Sequence, residues 1–181
     1  MIFGDAQGVF RGFWPGYSEA RYPASAAFWS VVKMQTGDAP GTVTLRSANP
    51  RDVPAIDFNW FSGPNAERDL QAISEGIEFV LGVYNRTGAP YAPFTINEPN
   101  PKLELKQAIR DEAYSHHVTS TCRMGPAGHR DYCVDSKFRV NGVEGLRVVD
   151  ASIFPRSPGA MPAGPTYTIS QKAFEVIMSE L

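Results

Sequence analysis

Excess charge of one sign is nearly absent from this sequence of 181 residues, in which 17 Lys and Arg residues face 19 Asp and Glu residues and the formal net charge is −2 at pH 7. Nucleic-acid-binding domains usually carry a strong basic excess, so we expect no nucleic-acid partner. No apolar run approaches the ~20 residues that span a bilayer, so we expect no membrane partner either. The first residues also lack the basic region and apolar stretch of a secretory signal.

Cysteine is scarce, and several glycine-based motifs are missing. The two cysteines, Cys122 and Cys133, are too few for a disulfide scaffold, and the sequence leaves open whether they pair or stay free. Neither G-x-G-x-x-G nor G-x-x-x-x-G-K-[ST] occurs, so we expect no glycine-rich loop for a dinucleotide or a phosphate within this chain. The nucleophile motif G-x-S-x-G of many hydrolases is absent as well.

The sequence does contain enough apolar side chains for a packed core. Hydrophobic residues make up 43% of the chain and charged residues 20%, which is typical of a globular protein. The 16 glycines and 15 prolines predict long irregular connections. The length predicts one domain, or one domain plus part of another.

Three strands are predicted in the first third of the chain, after a loop over residues 1–24. Residues 26–34 form a mostly apolar run that is typical of a buried strand. In residues 42–46, Val43 and Leu45 alternate with polar residues, which predicts a half-buried strand. Residues 55–58 form a third, short candidate.

Three helices are predicted farther along. The first covers residues 65–85, begins with Asn65 as its N-cap, and has a buried stripe made of Leu70, Ile73, Ile77, Val80, Leu81 and Tyr84. The second begins at Pro101. The third covers residues 165–181 and has an apolar face made of Ile169, Ala173, Phe174, Ile177 and Met178. Between the last two, residues 138–140 and 146–149 are strand candidates, and Asn141-Gly142 predicts a tight turn.

All three histidines lie close together, at positions 116, 117 and 129, in the stretch that also holds both cysteines. One hypothesis is a metal site made of His117, Cys122, His129 and Cys133, although their spacing matches none of the compact zinc patterns. Another is a general base, since imidazole can exchange a proton near neutral pH. A third is that these are ordinary loop histidines without a catalytic role.

The order of several motifs resembles one enzyme family, the glucose–methanol–choline (GMC) flavin oxidoreductases. Residues 117–125, HVTSTCRMG, resemble the family's His-x-x-x-Thr-x-x-Met-Gly segment, and residues 145–152, GLRVVDAS, resemble its closing flavin-contact motif. Pro165-Thr166 and the helix that follows complete this C-terminal pattern. Upstream, residues 41–57 resemble the family's strand–turn–strand signature.

The resemblance implies a set of functional residues. The family oxidises alcohols with bound FAD, and by position His117 is the base that takes the hydroxyl proton while hydride passes to the flavin. His116 would be its neighbour and a candidate for a second polar contact to the substrate. The resemblance places the cofactor contacts at Asp150, Ala151, Pro162 and Ala163.

Two positions and one region depart from the family pattern. The family has a second polar residue, His or Asn, eleven positions after the aspartate of the closing motif, where this chain has Met161, which cannot donate a hydrogen bond. Arg156 is the candidate substitute. Ser120 replaces the glycine that usually precedes the family's threonine. The family's N-terminal half, with the glycine-rich turn that binds the FAD pyrophosphate, has no counterpart in this sequence.

The resemblance implies an α+β fold: an antiparallel sheet flanked by helices, followed by a strand–helix segment of the FAD domain. Residues 1–115 would form the substrate-binding domain, and residues 116–181 the catalytic histidine segment and the return to the FAD domain. We therefore interpret the chain as the C-terminal part of an FAD-dependent oxidoreductase that acts on small-molecule alcohols and pairs with an FAD domain. The alternatives are a truncated, inactive fragment or interaction module and a small His/Cys metal protein.

Overall fold

The computed structural model describes residues 2–5, 27–115, 117–159 and 161–181. The chain divides into two compact units: unit 1 comprises residues 1–41 and 58–116, and unit 2 comprises residues 42–57 and 117–181. Both helices and antiparallel strands are present, which confirms the α+β class. The functional division at residue 115 stays a prediction.

Two antiparallel strand pairs occur in the described residues. In unit 1, β1 (Ile2–Asp5) pairs with β2 (Ala27–Ser30). The prediction of a loop over residues 1–24 is therefore wrong for β1, because the sequence there has no strand periodicity and the pairing partner lies more than twenty residues away. In unit 2, β3 (Thr42–Thr44) pairs with β4 (Ala55–Asp57).

The β3–β4 pair confirms two predicted strands but corrects their burial. Val43 is opposite Ile56 in the register, yet Val43 is 48% exposed and Leu45 is 87% exposed. A two-stranded ribbon buries its apolar face only if another layer covers it. No strand other than β4 pairs with β3 in the described part of the chain.

The core of unit 1 is built by two helices, α1 (Ala66–Arg86) and α2 (Leu105–Glu112), which pack against each other. The periodicity that predicted α1 is confirmed, since Leu70 and Val80 of its apolar stripe are buried. On α2, Ala108 and Ile109 are buried.

The ends of these helices differ from the predicted ones. Asn65 precedes α1 as expected, but its side chain makes no capping hydrogen bond. Its side-chain N–H instead donates to the Asp38 carboxylate over 2.9 Å, which directs the side chain toward Asp38. The second helix begins at Leu105 rather than Pro101, because the Glu104 carboxylate caps it by accepting the Gln107 backbone N–H over 3.0 Å.

Unit 2 has a core made largely of irregular chain. Val134, Phe138, Ile153 and Ala173 form its buried centre. The predicted strand over residues 138–140 is wrong, because Phe138 has a φ of 65° and cannot continue an extended strand. The segment 146–149 likewise forms only a bridge between Arg139 and Arg147, flanked by a hydrogen bond from the Val140 N–H to the Leu146 carbonyl over 2.9 Å.

Helix α3 (Ala163–Met178) completes unit 2 and follows a short 3₁₀ turn at Ala151–Ile153. Ala173 is buried and Ile169 packs against the core, as the predicted face requires. Phe174 and Met178, assigned to the same face, are exposed in this chain. Among the described residues, no helix is both long enough and apolar enough to cross a bilayer.

Candidate functional site

His117 lies at the edge of a pocket beside the beginning of α3. The pocket has a volume of about 440 Å³ and is lined by His117, by Met161 and Pro162 just before the helix, and by Ala163, Thr166, Tyr167 and Ser170 on the helix. Relative to Ala163, the other three helical positions are three, four and seven residues on, so all four lie on one stripe of α3. None of the lining residues carries a carboxylate. The pocket therefore brings together three of the residues that the resemblance singled out: His117, Pro162 and Ala163.

The chain that follows His117 is anchored by backbone hydrogen bonds. The N–H groups of Ser120, Cys122 and Met124 donate to three successive carbonyls, those of Ala151, Ser152 and Ile153, over 3.2, 2.9 and 2.8 Å. The 3₁₀ turn thereby fixes the segment that begins three residues after His117.

Ser120 occupies a backbone conformation that favours glycine. Its φ is 71°, in the left-handed region, where a side chain crowds the following carbonyl and costs roughly 1–2 kcal/mol. Its hydroxyl contacts that of Thr119 over 3.2 Å. The glycine that the family pattern places here would adopt this conformation without strain.

A disulfide joins Cys122 to Cys133, which resolves the question that the sequence left open. Two backbone hydrogen bonds flank it: Cys133 N–H donates to Arg123 O over 2.8 Å, and Gly125 N–H donates to Val134 O over 2.9 Å. Paired cysteines do not offer the thiolates that the metal hypothesis required. No group of three or more His, Cys, Asp or Glu residues suited to a metal occurs in the described ranges.

Gly125 permits the loop inside the disulfide to close. A Cβ atom added to Gly125 would lie only 2.1 Å from the ring of Tyr132, so no larger residue fits unless the ring moves. This close approach explains the need for glycine at the end of the His-x-x-x-Thr-x-x-Met-Gly segment.

Asp150 and Ala151 do not line the pocket; each instead accepts a hydrogen bond from a backbone N–H. The Asp150 carboxylate accepts the Ser152 N–H over 2.8 Å and caps the 3₁₀ turn. The carbonyl of Ala151 accepts the Ser120 N–H. Arg156 is exposed and is not among the residues that line the pocket. His116, the remaining predicted site residue, lies outside the described residues.

The beginning of α3 brings no charged side chain to the pocket, and of the two lining residues there, Pro162 and Ala163, only Ala163 carries a backbone N–H. Pro162 is the N-cap residue, none of the described side chains caps the helix, and its first turn has no acidic residue. The Pro162 carbonyl already accepts the Thr166 N–H over 2.9 Å. The positive end of the helix dipole therefore faces the pocket at Pro162 and Ala163 without a neutralising partner among the described side chains.

A buried carboxylate, which the sequence analysis missed, organises the turn behind the disulfide. Asp135 is only 6% exposed, and its carboxylate accepts four hydrogen bonds of 2.8 to 3.0 Å, from the backbone N–H groups of Lys137 and Arg139 and from two nitrogens of the Arg139 guanidinium. Burial alone would raise the pKa of Asp135, but these hydrogen bonds outweigh it and hold the pKa below its usual value. The Asp-Ser-Lys sequence is a signal for such a turn, since aspartate commonly accepts the N–H two residues on.

The far end of α3 is tied to the same turn by charge. Glu180 accepts hydrogen bonds from Lys137, over 2.8 Å, and from Arg147. The hydrogen bond from Lys137 is the main reason that the pKa of Glu180 lies below its usual value. Both ends of the helix are thus connected to the irregular chain that carries the site.

Comparisons with known proteins place these residues in context. The family model described as GMC oxidoreductase, for the C-terminal domain, matches residues 37–170. A glucose methanol choline oxidoreductase of Aspergillus terreus is 34% identical over 92% of this chain and 27% of its own length. An oxygen-dependent choline dehydrogenase of Brucella ovis is 34% identical over 87% of this chain and 30% of its own length.

Solved structures give the same result. A formate oxidase variant from Aspergillus oryzae, from a study of FAD modification, aligns with a TM-score of 0.63 and 31% identity over 78% of this chain and 25% of that one. An FAD-dependent oxidoreductase from Chaetomium thermophilum aligns with a TM-score of 0.56 and 27% identity over 77% of this chain and 24% of that one. The chain therefore spans about a quarter to a third of the length of these proteins.

Proposed function

Because the chain belongs to the GMC oxidoreductase family, we propose that it supplies the substrate-side residues of an FAD-dependent oxidoreductase acting on alcohols, with His117 as the base. Residues 1–115 would carry the substrate-binding part, and residues 116–181 the catalytic segment and the contacts to an FAD domain. The single observation that carries the proposal is that His117, Pro162 and Ala163 line one pocket.

The residues around the pocket fit the ring system of FAD. The open N-terminus of α3 offers N–H donors and a positive dipole end, which suit the electron-rich, hydrogen-bond-accepting edge of a flavin ring. Pro162 and Ala163 would contact that edge, and Asp150 and Ala151 remain predicted cofactor contacts. Because the sequence has no glycine-rich turn, the pyrophosphate of FAD would be bound by an FAD domain outside these 181 residues.

His117 would accept the hydroxyl proton of the alcohol. When bound, FAD supplies the hydride acceptor for this chemistry. Loss of hydride from a neutral alcohol would leave a positively charged, protonated carbonyl unless the hydroxyl proton also leaves, and an unprotonated imidazole can take that proton. The lining residues include no carboxylate that would compete for the proton. Anchoring of residues 120–124 on the 3₁₀ turn would hold the histidine segment in position for this transfer.

FAD binding is tested first with the 181-residue chain alone and then with an FAD domain supplied. We expect the 181-residue chain alone to bind FAD weakly or not at all, and stoichiometric yellow flavin in the purified chain would contradict this. The chain should then be co-expressed with the part of the Aspergillus terreus relative that it does not match. Retention of flavin by the complex, measured by absorbance after desalting, would support the proposed pairing.

The role of His117 is tested in the same complex. His117→Ala should slow reduction of the flavin by alcohol roughly 10²- to 10⁴-fold, as for loss of a general base, while flavin content changes little. His129→Ala is the matched control, because His129 is an exposed histidine that does not line the pocket. Equal losses of flavin binding and of reduction rate in His117→Ala would assign His117 a structural role.

An interaction module without catalysis is the second candidate. Met161 offers no hydrogen-bond donor, and Tyr167, Phe174 and Met178 expose apolar surface on α3, which suits binding of another polypeptide. A complex that retains flavin but is not reduced by any alcohol tested would favour this alternative.

A further inference from the structure

The reacting oxygen of an alcohol benefits from a hydrogen-bond donor in addition to its base. Negative charge develops on that oxygen as its proton passes to the base, and a donor aimed at the oxygen stabilises that charge. Met161 has no donor, and Arg156 does not line the pocket that contains His117. His116 lies outside the described residues, so we search for a described donor among the other residues of the pocket.

Three hydroxyl groups line that pocket, and two of them are already engaged. The Thr166 hydroxyl donates to the carbonyl of Pro162 over 2.7 Å, and the Ser170 hydroxyl donates to the carbonyl of Thr166 over 2.8 Å. Each hydroxyl has a single proton, so neither can donate to a substrate while these bonds persist. The backbone N–H groups at the start of α3 are assigned to the flavin edge in the proposed function.

The third hydroxyl belongs to Tyr167, which lies one helical turn after Ala163 on the same stripe of α3. Tyr167 is 80% exposed, and among the described residues its hydroxyl has no hydrogen-bond partner. A phenol keeps its proton at neutral pH and reaches farther from the helix than the other two hydroxyls. It is also neutral, so it can remain at the pocket edge without a counter-ion.

We propose that the Tyr167 hydroxyl, which lines the same pocket as His117, is the second hydrogen-bond donor to the substrate oxygen. This inference rests on the proposed function and gives the pocket a donor that replaces the one absent at Met161. Tyr167 donates a hydrogen bond and transfers no proton, since the hydroxyl proton of the alcohol goes to His117. The donor therefore comes from the body of α3 rather than from the segment that precedes it.

The first test needs no flavin and uses the 181-residue chain with acetate as the probe. Acetate places a negatively charged oxygen where the reacting oxygen would lie, and NMR follows its binding through the His117 ring resonance, which is assigned by its absence in His117→Ala. Tyr167→Phe should weaken acetate binding about fivefold, as for loss of one hydrogen bond. Tyr91→Phe is the matched control, since Tyr91 is an exposed tyrosine of unit 1, and it should leave binding unchanged.

The outcomes separate this inference from the proposed function. Unchanged acetate binding in Tyr167→Phe, with acetate still perturbing the His117 resonance, would overturn the role of Tyr167 and leave that of His117 intact. Acetate binding that does not perturb the His117 resonance, or no binding at all, would count against the pocket and hence against both proposals. Thermal unfolding of Tyr167→Phe and Tyr91→Phe, compared with that of the unchanged protein, checks that neither substitution has altered the fold.

The second test uses the flavin-loaded complex described above. Tyr167→Phe should lower the rate of flavin reduction about 10²-fold at saturating alcohol, with little change in flavin content. If Tyr167 only packed against the FAD domain, its substitution would lower flavin retention instead of the reduction rate. Tyr167→Ala would then retain far less flavin than Tyr167→Phe. Equal rates in Tyr167→Phe and the unchanged protein would overturn the proposal.

Discussion

The two units of this chain build their cores in different ways. Unit 1 buries Leu70 and Val80 of α1 with Ala108 and Ile109 of α2, so its core comes from two helices that are regular in sequence. Unit 2 builds the core around Val134 from chain that is mostly irregular between residues 117 and 159. Its backbone groups pair with groups far along the chain, as the Met124 N–H does with the Ile153 carbonyl.

This difference explains where the candidate site lies. Helices satisfy their own backbone groups and present side chains at fixed intervals, which favours a core. In an irregular segment, the positions of side chains such as His117 do not follow a helical repeat. The segment keeps its conformation through hydrogen bonds to residues far along the chain. The site therefore combines one such segment with the first turns of α3.

The largest expected effect concerns the helical core of unit 1. Leu70→Ala leaves a cavity at a fully buried position, and we expect the free energy of unfolding to fall by about 2–5 kcal/mol. Leu45→Ala is the control, since Leu45 is exposed and its loss should change stability by less than about 0.5 kcal/mol. Urea unfolding of both variants measures this, and similar losses would show that the buried Leu70 contributes no more than an exposed leucine does.

The next effect concerns the covalent bond in unit 2. The Cys122–Cys133 disulfide has a sequence separation of 11, and a loop of this size contributes about 3 kcal/mol when closed. Changing both cysteines to serine should lower the free energy of unfolding by that amount. The double variant should be insensitive to dithiothreitol, whereas the unchanged protein should lose stability in it. An unchanged unfolding midpoint in reductant would show that the flanking backbone hydrogen bonds suffice.

A smaller effect should appear as the pH falls. The pKa of Asp135 is lower in the folded protein than its ordinary value of about 3.9, so its ionised form stabilises the fold. That contribution is complete above the unfolded pKa and is lost as the pH falls through the lower, folded pKa.

Asp135→Asn tests this directly. It should cost about 1.5–3 kcal/mol near neutral pH, because hydrogen bonds to a charged acceptor are lost, and it should flatten the loss of stability below pH ~4. Asp131→Asn is the control, since Asp131 is exposed in the same loop. Identical acid unfolding curves for Asp135→Asn and the unchanged protein would exclude a role of this carboxylate.

The smallest expected effect is a gain. Ser120→Gly should raise the free energy of unfolding by about 1 kcal/mol, because glycine adopts a φ of 71° without the strain that serine carries there. Ser120→Ala keeps the strain and should give no gain. If both variants behave alike in thermal unfolding, the backbone of residue 120 does not store strain.

Regular elements could be predicted from the sequence far better than irregular ones. Helix α1 was predicted to within one residue at each end, because its apolar residues repeat with helical spacing. The strand predicted at residues 138–140 failed, since apolar alternation says nothing about a positive φ at Phe138. The prediction that Val43 and Leu45 are buried was also wrong, because burial depends on whether another layer covers the strand.

The sequence by itself determined the family, the helices and the candidate base, because these depend on residue types at fixed spacings along the chain. Only the tertiary structure decided that Cys122 and Cys133 pair, that Arg156 lies away from the pocket of His117, and that Tyr167 lines it. Those facts depend on distances between segments that are separate in sequence. Such distances are set by how the irregular chain of unit 2 closes its backbone hydrogen bonds around a common core.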